Sequence, residues 1–306
     1  MRKNREMRKY IEEDFIMRKV ALLLASLGIV AAAYAEQPKL EVTHVGQEIE
    51  IENQAGNEDF DEVNFFNSVG LKYEDWTFGL QAGKQWGINL GDNSDISSKN
   101  HRLQIDVWNK VTDELKLGFR FRGTKNYDRW YARWDYKHGM LWSAGDIWYQ
   151  AENGSASQDT LQFEVFPIGL QYGPLKVGYF INYVQQMGDV KDGEKDYYLE
   201  HQIRAYATLY KGEKLTVTTE GRFTLAADNE YKGAEPPYRH YDNFGRNRIY
   251  LGGSYQWTEN LSVYANYGYE FRDWKYENGD TEAKQSAKDR TADNYQDIIV
   301  GWKYTF

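Results

Sequence analysis

The chain has 306 residues and a formal net charge of −9; 27% of its side chains are charged, 16% are aromatic with 25 Tyr and 10 Trp among them, and there is no cysteine. The aromatic content excludes a disordered chain, and the absence of cysteine excludes a disulfide scaffold or a thiolate metal centre. The acidic balance argues against nucleic acid as a partner.

Residues 1–16 are rich in Arg, Lys and Glu, precede a second methionine at Met17, and read as an N-terminal extension or a mis-assigned start. Residues 17–35, "MRKVALLLASLGIVAAAYA", carry a basic start at Arg18 and Lys19, an apolar core from Val20 to Ala33 and a small-x-small end at Ala33 and Ala35. This is the pattern of a secretory signal peptide, with a core too short to be a comfortable transmembrane anchor. Of the 37 basic and 46 acidic residues, 7 and 4 lie in 1–35, so the chain from Glu36 has 30 and 42 and a net charge of −12. Beyond Ala35 no apolar stretch approaches the ~18 residues of a spanning helix, so membrane contact there requires strands.

From residue 40 the chain repeats one theme, about ten residues of alternating apolar and polar character followed by a break. In "ELKLGFRFR", Leu115, Leu117, Phe119 and Phe121 separate from Lys116, Gly118, Arg120 and Arg122. In "KLTVTTEGRFTL", Leu215, Val217, Phe223 and Leu225 separate from Thr216, Thr218, Glu220, Arg222 and Thr224. In "NLSVYANYGYEFR", Leu261, Val263, Ala265, Tyr267, Tyr269 and Phe271 oppose Ser262, Tyr264, Asn266, Gly268, Glu270 and Arg272. The C-terminal "IIVGWKYTF" does the same with Ile298, Val300, Trp302, Tyr304 and Phe306.

The breaks alternate in length. Short ones fall at 74–75, 110–113, 137–139, 173–174, 211–213 and 258–260; the others fall near 52–62, 88–98, 123–128, 150–158, 187–196, 227–245 and 273–292. They separate about 14 strands, an even number that returns both chain ends to one side. Aromatics cluster near strand ends, with Tyr73, Trp76, Phe78, Tyr255 and Trp257 beside short turns and Tyr183, Tyr197, Tyr269 and Phe271 beside long loops. Two aromatic belts flanking an aliphatic band predict an all-β fold, a transmembrane antiparallel up-and-down β-barrel over 36–306, with a soluble β-sandwich as the alternative. Inward-facing Gly79, Gly118, Gly178, Gly252, Gly268 and Gly301 are expected to spare volume in the lumen.

The inward positions carry charge in two groups. Arg102, Lys116, Arg120, Arg122, Arg129 and Arg133 form a basic sector with Asp106 and Asp135 among them, and further round Glu200, Arg204, Glu220, Arg222, Arg248, Glu270 and Arg272 alternate in sign. Three readings stay open: a transverse field that orients polar solutes, a basic track for acidic sugars, and a mutually paired wall of low selectivity.

Three stretches, "EIEIENQAGNED" at 48–59 with "FFNSVGLKYEDWTFGLQAG" after it, "RNRIYLGGSYQWTENLSVYANYGYEF" at 246–271, and the terminal strand, resemble outer-membrane porins of the OmpG type. That resemblance implies a monomeric channel without cofactor, exported by a Sec-type route to the outer membrane of a Gram-negative bacterium. There it would be embedded in lipid and lipopolysaccharide and would pass ions and small hydrophilic solutes, sugars or oligosaccharides among them. It implies that Trp302, Tyr304 and above all Phe306 form a signal read by the barrel-assembly machinery. It also implies loop gating by a pair of lumen histidines: His240 falls where one member would lie, while Trp274 stands in the partner's place.

Two rivals come from other classes. An adhesin or receptor would use the long loops 227–245 and 273–292 and keep the barrel only as an anchor. A barrel hydrolase would need a nucleophile beside His and a carboxylate, and the chain has neither a G-x-S-x-G elbow nor an H-E-x-x-H motif. The acidic "GDVKDGEKD" at 188–196 does not have EF-hand spacing, and no metal site is expected.

Overall fold

In the computed structural model the described residues are 39–54, 60–90, 95–154, 158–188, 190, 195–231, 239–242, 244–273, 275–276 and 294–306. Residues 1–16 and 17–35, read above as an extension and a signal peptide, lie outside them. In chain order the strands are β1 Glu41–Gln54, β2 Phe60–Tyr73, β3 Trp76–Asn89, β4 Asp95–Lys110, β5 Leu115–Thr124, β6 Tyr127–His138, β7 Leu141–Glu152 and β8 Thr160–Tyr172. They continue with β9 Leu175–Gln186, β10 Lys195–Lys211, β11 Leu215–Tyr231, β12 Arg239–Asp242, β13 Arg246–Gln256, β14 Leu261–Arg272, β15 Lys275–Tyr276 and β16 Tyr295–Thr305.

Of these sixteen strands, β12 and β15 are short ribbons in the loops that follow β11 and β14. The other fourteen pair antiparallel with their neighbours in sequence, the β10–β11 pairing joins the two ends of the sheet order, and β1 pairs with β16. The sheet is therefore a closed barrel without an edge, and the sandwich alternative falls. The sequence breaks mark the turns well. The short connections are 74–75, 111–114, 139–140, 173–174, 212–214 and 257–260. Gly139 and Gly173 open two-residue turns at φ of +57° and +56°, a conformation in which a Cβ is strained. β12 and β15 were not foreseen. They form because β10 and β11 run to 17 residues each, and the overhang of β11 offers Ala226 and Ala227 as partners for Asp242 and Tyr241.

The outward faces carry the apolar residues of the alternating pattern. Mid-strand Leu117, Phe119, Leu251 and Val300 are 48%, 46%, 56% and 41% exposed, a continuous apolar surface that a water-soluble monomer does not present. Ring pairs Tyr255–Trp257 and Tyr304–Phe306 edge this band near the short turns, and Phe163–Tyr183, Tyr183–Tyr197 and Tyr269–Phe271 edge it near the long loops. The shortest barrel strand, β5, has 10 residues. At about 3.4 Å per residue and a tilt of about 40° it spans about 26 Å, the height of an outer-membrane apolar band. The protein is a transmembrane β-barrel whose apolar residues face lipid.

The inner face departs from expectation at the glycines. Phe66 of β2 is the cross-strand partner of Gly83 on β3, and the same pairing joins Trp108 to Gly118, Trp142 to Gly169, Tyr250 to Gly268 and Tyr264 to Gly301. In each, a Cβ on the glycine would sit 2.1–2.6 Å from the partner's ring. Trp142 reaches a second strand and also covers Gly178. Gly118, Gly178, Gly268 and Gly301 therefore spare no lumen volume; an aromatic ring lies flat in each gap and fixes register. Gly79, whose nearest neighbour is Asp106 Cβ at 3.5 Å, is the open kind the sequence suggested.

Candidate functional site: the charged inner wall

Charged side chains sit on top of four of these rings and of Phe180. Arg102 lies 3.7 Å above Phe66, Arg133 4.7 Å above Trp108, Lys176 3.8 Å above Trp142, Arg204 3.3 Å above Phe180 and Arg222 4.9 Å above Tyr250. On Phe66, Trp108, Trp142 and Tyr250 this makes a recurrent stack, with glycine beneath, ring in the middle and cation toward the lumen, whereas Phe180 stands opposite Gln202. The ring holds the stem of the cation and the cation–π attraction adds to its placement.

Around β10–β14 most of the inward charges are paired. Glu270, 2% exposed, takes Arg248 Nε at 2.6 Å and Arg246 Nε at 3.1 Å, and also pairs with Arg272. Glu200, 1% exposed, accepts from Thr224 Oγ1 at 2.5 Å, Gln202 Nε2 at 2.7 Å, Tyr198 Oη at 2.7 Å and Arg246 Nη1 at 3.1 Å. Arg222 pairs with Glu220 at 2.5 Å, and Arg204 donates to the neutral Gln202 at 2.7 Å. Buried carboxylates satisfied on this scale form a rigid network. Glu164, Asn182, Gln202, Arg204, Arg222 and Glu270 are among the residues that line a cavity of about 140 Å³ on this wall.

On the opposite arc Asp106 takes Arg120 at 2.7 Å and Arg133 at 2.6 Å, and Arg133 also reaches Asp146 at 2.6 Å. Arg102, Arg122 and Arg129 have no ion pair among the described residues; their acceptors are Gln81, Gln104 and Gln150, with Tyr131 Oη a second acceptor for Arg129 at 3.4 Å. Lys116 and Asp135 are cross-strand partners and border a cavity of about 470 Å³ at the short-turn end. The third arc is acidic. Oxygens of Glu50, Glu52 and Asp297 lie within 4.8 Å of one another, and they are the three carboxylates that could hold a cation among the described residues. Asp297 Oδ2 accepts from Tyr250 Oη at 3.1 Å, and Glu48 from Tyr264 Oη at 2.8 Å.

Each charged position read as inward thus lies on this wall, on one side of the strands that carry the stacks. Arg246, Asp146, Glu164, Lys176 and the glutamines were missed in the sequence. Strand parity places Arg246 and Asp146 as it places Arg248, whereas the glutamines carry no charge signal. The side chain of His240 and all of Trp274 lie outside the described residues, so the gating pair has no structural counterpart to describe; the backbone of His240 pairs with Lys275. His201 and Glu200 point to opposite faces, His201 bonding to Tyr179 at 2.6 Å on the outer side. The terminal Trp302, Tyr304 and Phe306 share the outer face, and Phe306 is 68% exposed.

Fold and wall together define a closed fourteen-stranded transmembrane barrel, apolar outside and charged inside. A solved outer-membrane protein shares this fold, and others align with the chain more loosely. A bacterial polysaccharide outer membrane secretin aligns with a TM-score of 0.50 at 11% identity, over 86% of this chain and 98% of its own. OmpT of Vibrio cholerae aligns with a TM-score of 0.46 at 11% identity over 89% and 99%, and the translocator domain of the autotransporter NalP from Neisseria meningitidis with 0.41 at 13% over 96% and 98%. The likeness is one of fold alone. No family model matches the sequence, and a comparison with curated proteins gives no match.

Proposed function

We propose that the protein is an outer-membrane pore of the OmpG type, a monomeric channel through which ions and small hydrophilic solutes, sugars among them, diffuse passively. The observation that carries this reading is a closed wall of fourteen strands whose inner face is charged. Strands about 4.8 Å apart and tilted about 40° close fourteen into a barrel about 28 Å across, backbone to backbone. The same arithmetic for eight strands gives about 16 Å, an interior that side chains just fill, so about 12 Å of width is left for water.

The leader at 17–35 and the resemblance at both ends of the mature chain support export by a Sec-type route to a Gram-negative outer membrane. The apolar outer band supports a surround of lipid and lipopolysaccharide, and the exposed terminal Phe306 supports recognition by the barrel-assembly machinery. Selectivity is assigned to the inward residues, Arg102 to Arg133 on one arc and Glu200 to Arg272 on the other, and no catalytic role is assigned to any of them. Single-channel recording in a planar bilayer, on protein expressed from its full sequence and extracted in detergent, tests the reading. Discrete conductance steps are expected; a barrel that inserts and never conducts refutes it.

A further inference from the structure

On the β4–β7 arc three neighbouring arginines stand without an ion pair, whereas among the described inward arginines of β10–β14 only Arg204 is held by a neutral group alone. Gln104, Arg122, Arg129 and Gln150 are successive cross-strand partners on β4, β5, β6 and β7. Two arginines therefore stand directly opposite each other, an arrangement that costs stability in a sheet. Each is held by a neutral carbonyl: Arg122 Nε donates to Gln104 Oε1 at 2.9 Å, and Arg129 Nε donates to Gln150 Oε1. Arg102, two residues nearer the long loops on β4, donates to Gln81 at 3.0 Å and feels Arg122 through space. Glu48 and Glu50 act on Arg102 only at a distance, without an ion pair.

Donors on this arc also lack acceptors. Arg102 Nε and Trp148 Nε1 are buried without a hydrogen-bond partner among the described residues, and the Trp148 ring lies 5.5 Å from the Arg129 guanidinium. Glutamate is nearly isosteric with glutamine, so glutamate at 104 or 150 could hold the same forks and cancel the charge. Glutamine orients the guanidinium and leaves the charge free.

We propose that Arg102, Arg122 and Arg129 form a lumen binding site for an anionic solute bearing two or more carboxylate or phosphate groups, both of which match the guanidinium fork. The site gives the pore a solute class and rests on the pore reading for its role, but not for its test. The test is calorimetric titration of the detergent-solubilised protein with citrate and, in parallel, with pyrophosphate, using neutral maltotriose as the uncharged comparison. Saturable binding of at least one anion is expected, with maltotriose silent, and the anion that binds separates carboxylate from phosphate.

Binding should weaken at least about tenfold in Arg122→Gln/Arg129→Gln, which removes two charge-assisted donors, and in Gln150→Glu, which keeps every arginine and supplies a counter-charge. Lys214→Gln, in a short turn, should leave it unchanged. Failure of both anions to bind, or undiminished binding in either lumen variant with its heat-modifiable fold intact, overturns the site. Calorimetry reads binding whether or not the barrel conducts, so loss of the pore and loss of the site are separate results.

Discussion

Glu270→Gln is the sharpest single test of the inner wall. The carboxylate is 2% exposed and serves Arg246, Arg248 and Arg272, which are 24%, 16% and 25% exposed. Replacing it by an amide removes the counter-charge shared by three guanidinium groups and turns one acceptor oxygen into an amino group, so each ion-to-carboxylate bond, worth about 1.5–3 kcal/mol, becomes at best an ion-to-amide bond weaker by about 1 kcal/mol. The loss is about 1 kcal/mol per bond and about 3 kcal/mol in all. That lies at the low end of the ~3–5 kcal/mol for breaking a buried pair, because lumen water can rehydrate arginines that are a quarter exposed. Glu220→Gln provides the internal standard: one arginine partner and 22% exposure give less than about 1 kcal/mol. Urea titrations in detergent followed by tryptophan fluorescence measure both, and a cycle with Arg248→Gln isolates the pair. A Glu270→Gln variant no less stable than Glu220→Gln would refute the assignment of this carboxylate as the counter-charge of the wall.

Other outcomes follow from the ring-and-glycine stacks and the terminus. Gly118→Val must displace Trp108, whose Cδ2 lies 2.6 Å from the new Cβ, and should cost about 1–3 kcal/mol, whereas Gly79→Ala, with its nearest atom at 3.5 Å, should be near neutral in the same titration. Trp142→Ala uncovers two glycines and strips the ring from beneath Lys176, for an expected loss of about 3–5 kcal/mol. Deleting Phe306 should reduce the heat-modifiable band in isolated outer membranes while leaving detergent refolding of the same chain intact; equal membrane yields would remove it as an assembly signal.

Strand number, turn positions and facing were legible because each rests on local chemistry. Parity places Leu117 and Arg120 on opposite faces, and Gly139 or Gly173 marks a turn wherever the chain sits. The role of Gly118 was not legible, because it depends on Trp108 standing opposite, and which residue stands opposite is set by stagger between strands that no single strand encodes. The same holds for Arg122 and Arg129: each reads as inward, but only the register reveals two like charges face to face with glutamine on either flank. Arg246 is a different omission. Its parity with Arg248 was available, yet its place at the edge of a long loop hid it.

The pairing of β1 with β16 constrains how the molecule is made. Gln47 bonds Trp302 across a sequence separation of 255 residues, and eleven successive partners from His44–Thr305 to Gln54–Tyr295 form that seam. Every other barrel junction joins strands adjacent along the chain, so a hairpin can form as soon as its second strand exists. The seam cannot begin until the last strand has been synthesised, and until then the first strand has a raw edge with its amides and carbonyls unmet. Closure is thus the late, slow step imposed by the longest loop in the topology. The ribosome-bound or translocating chain must be kept from pairing with neighbours for the whole of its synthesis, and a truncation of the last eleven residues would leave a sheet with two sticky margins instead of a slightly smaller barrel.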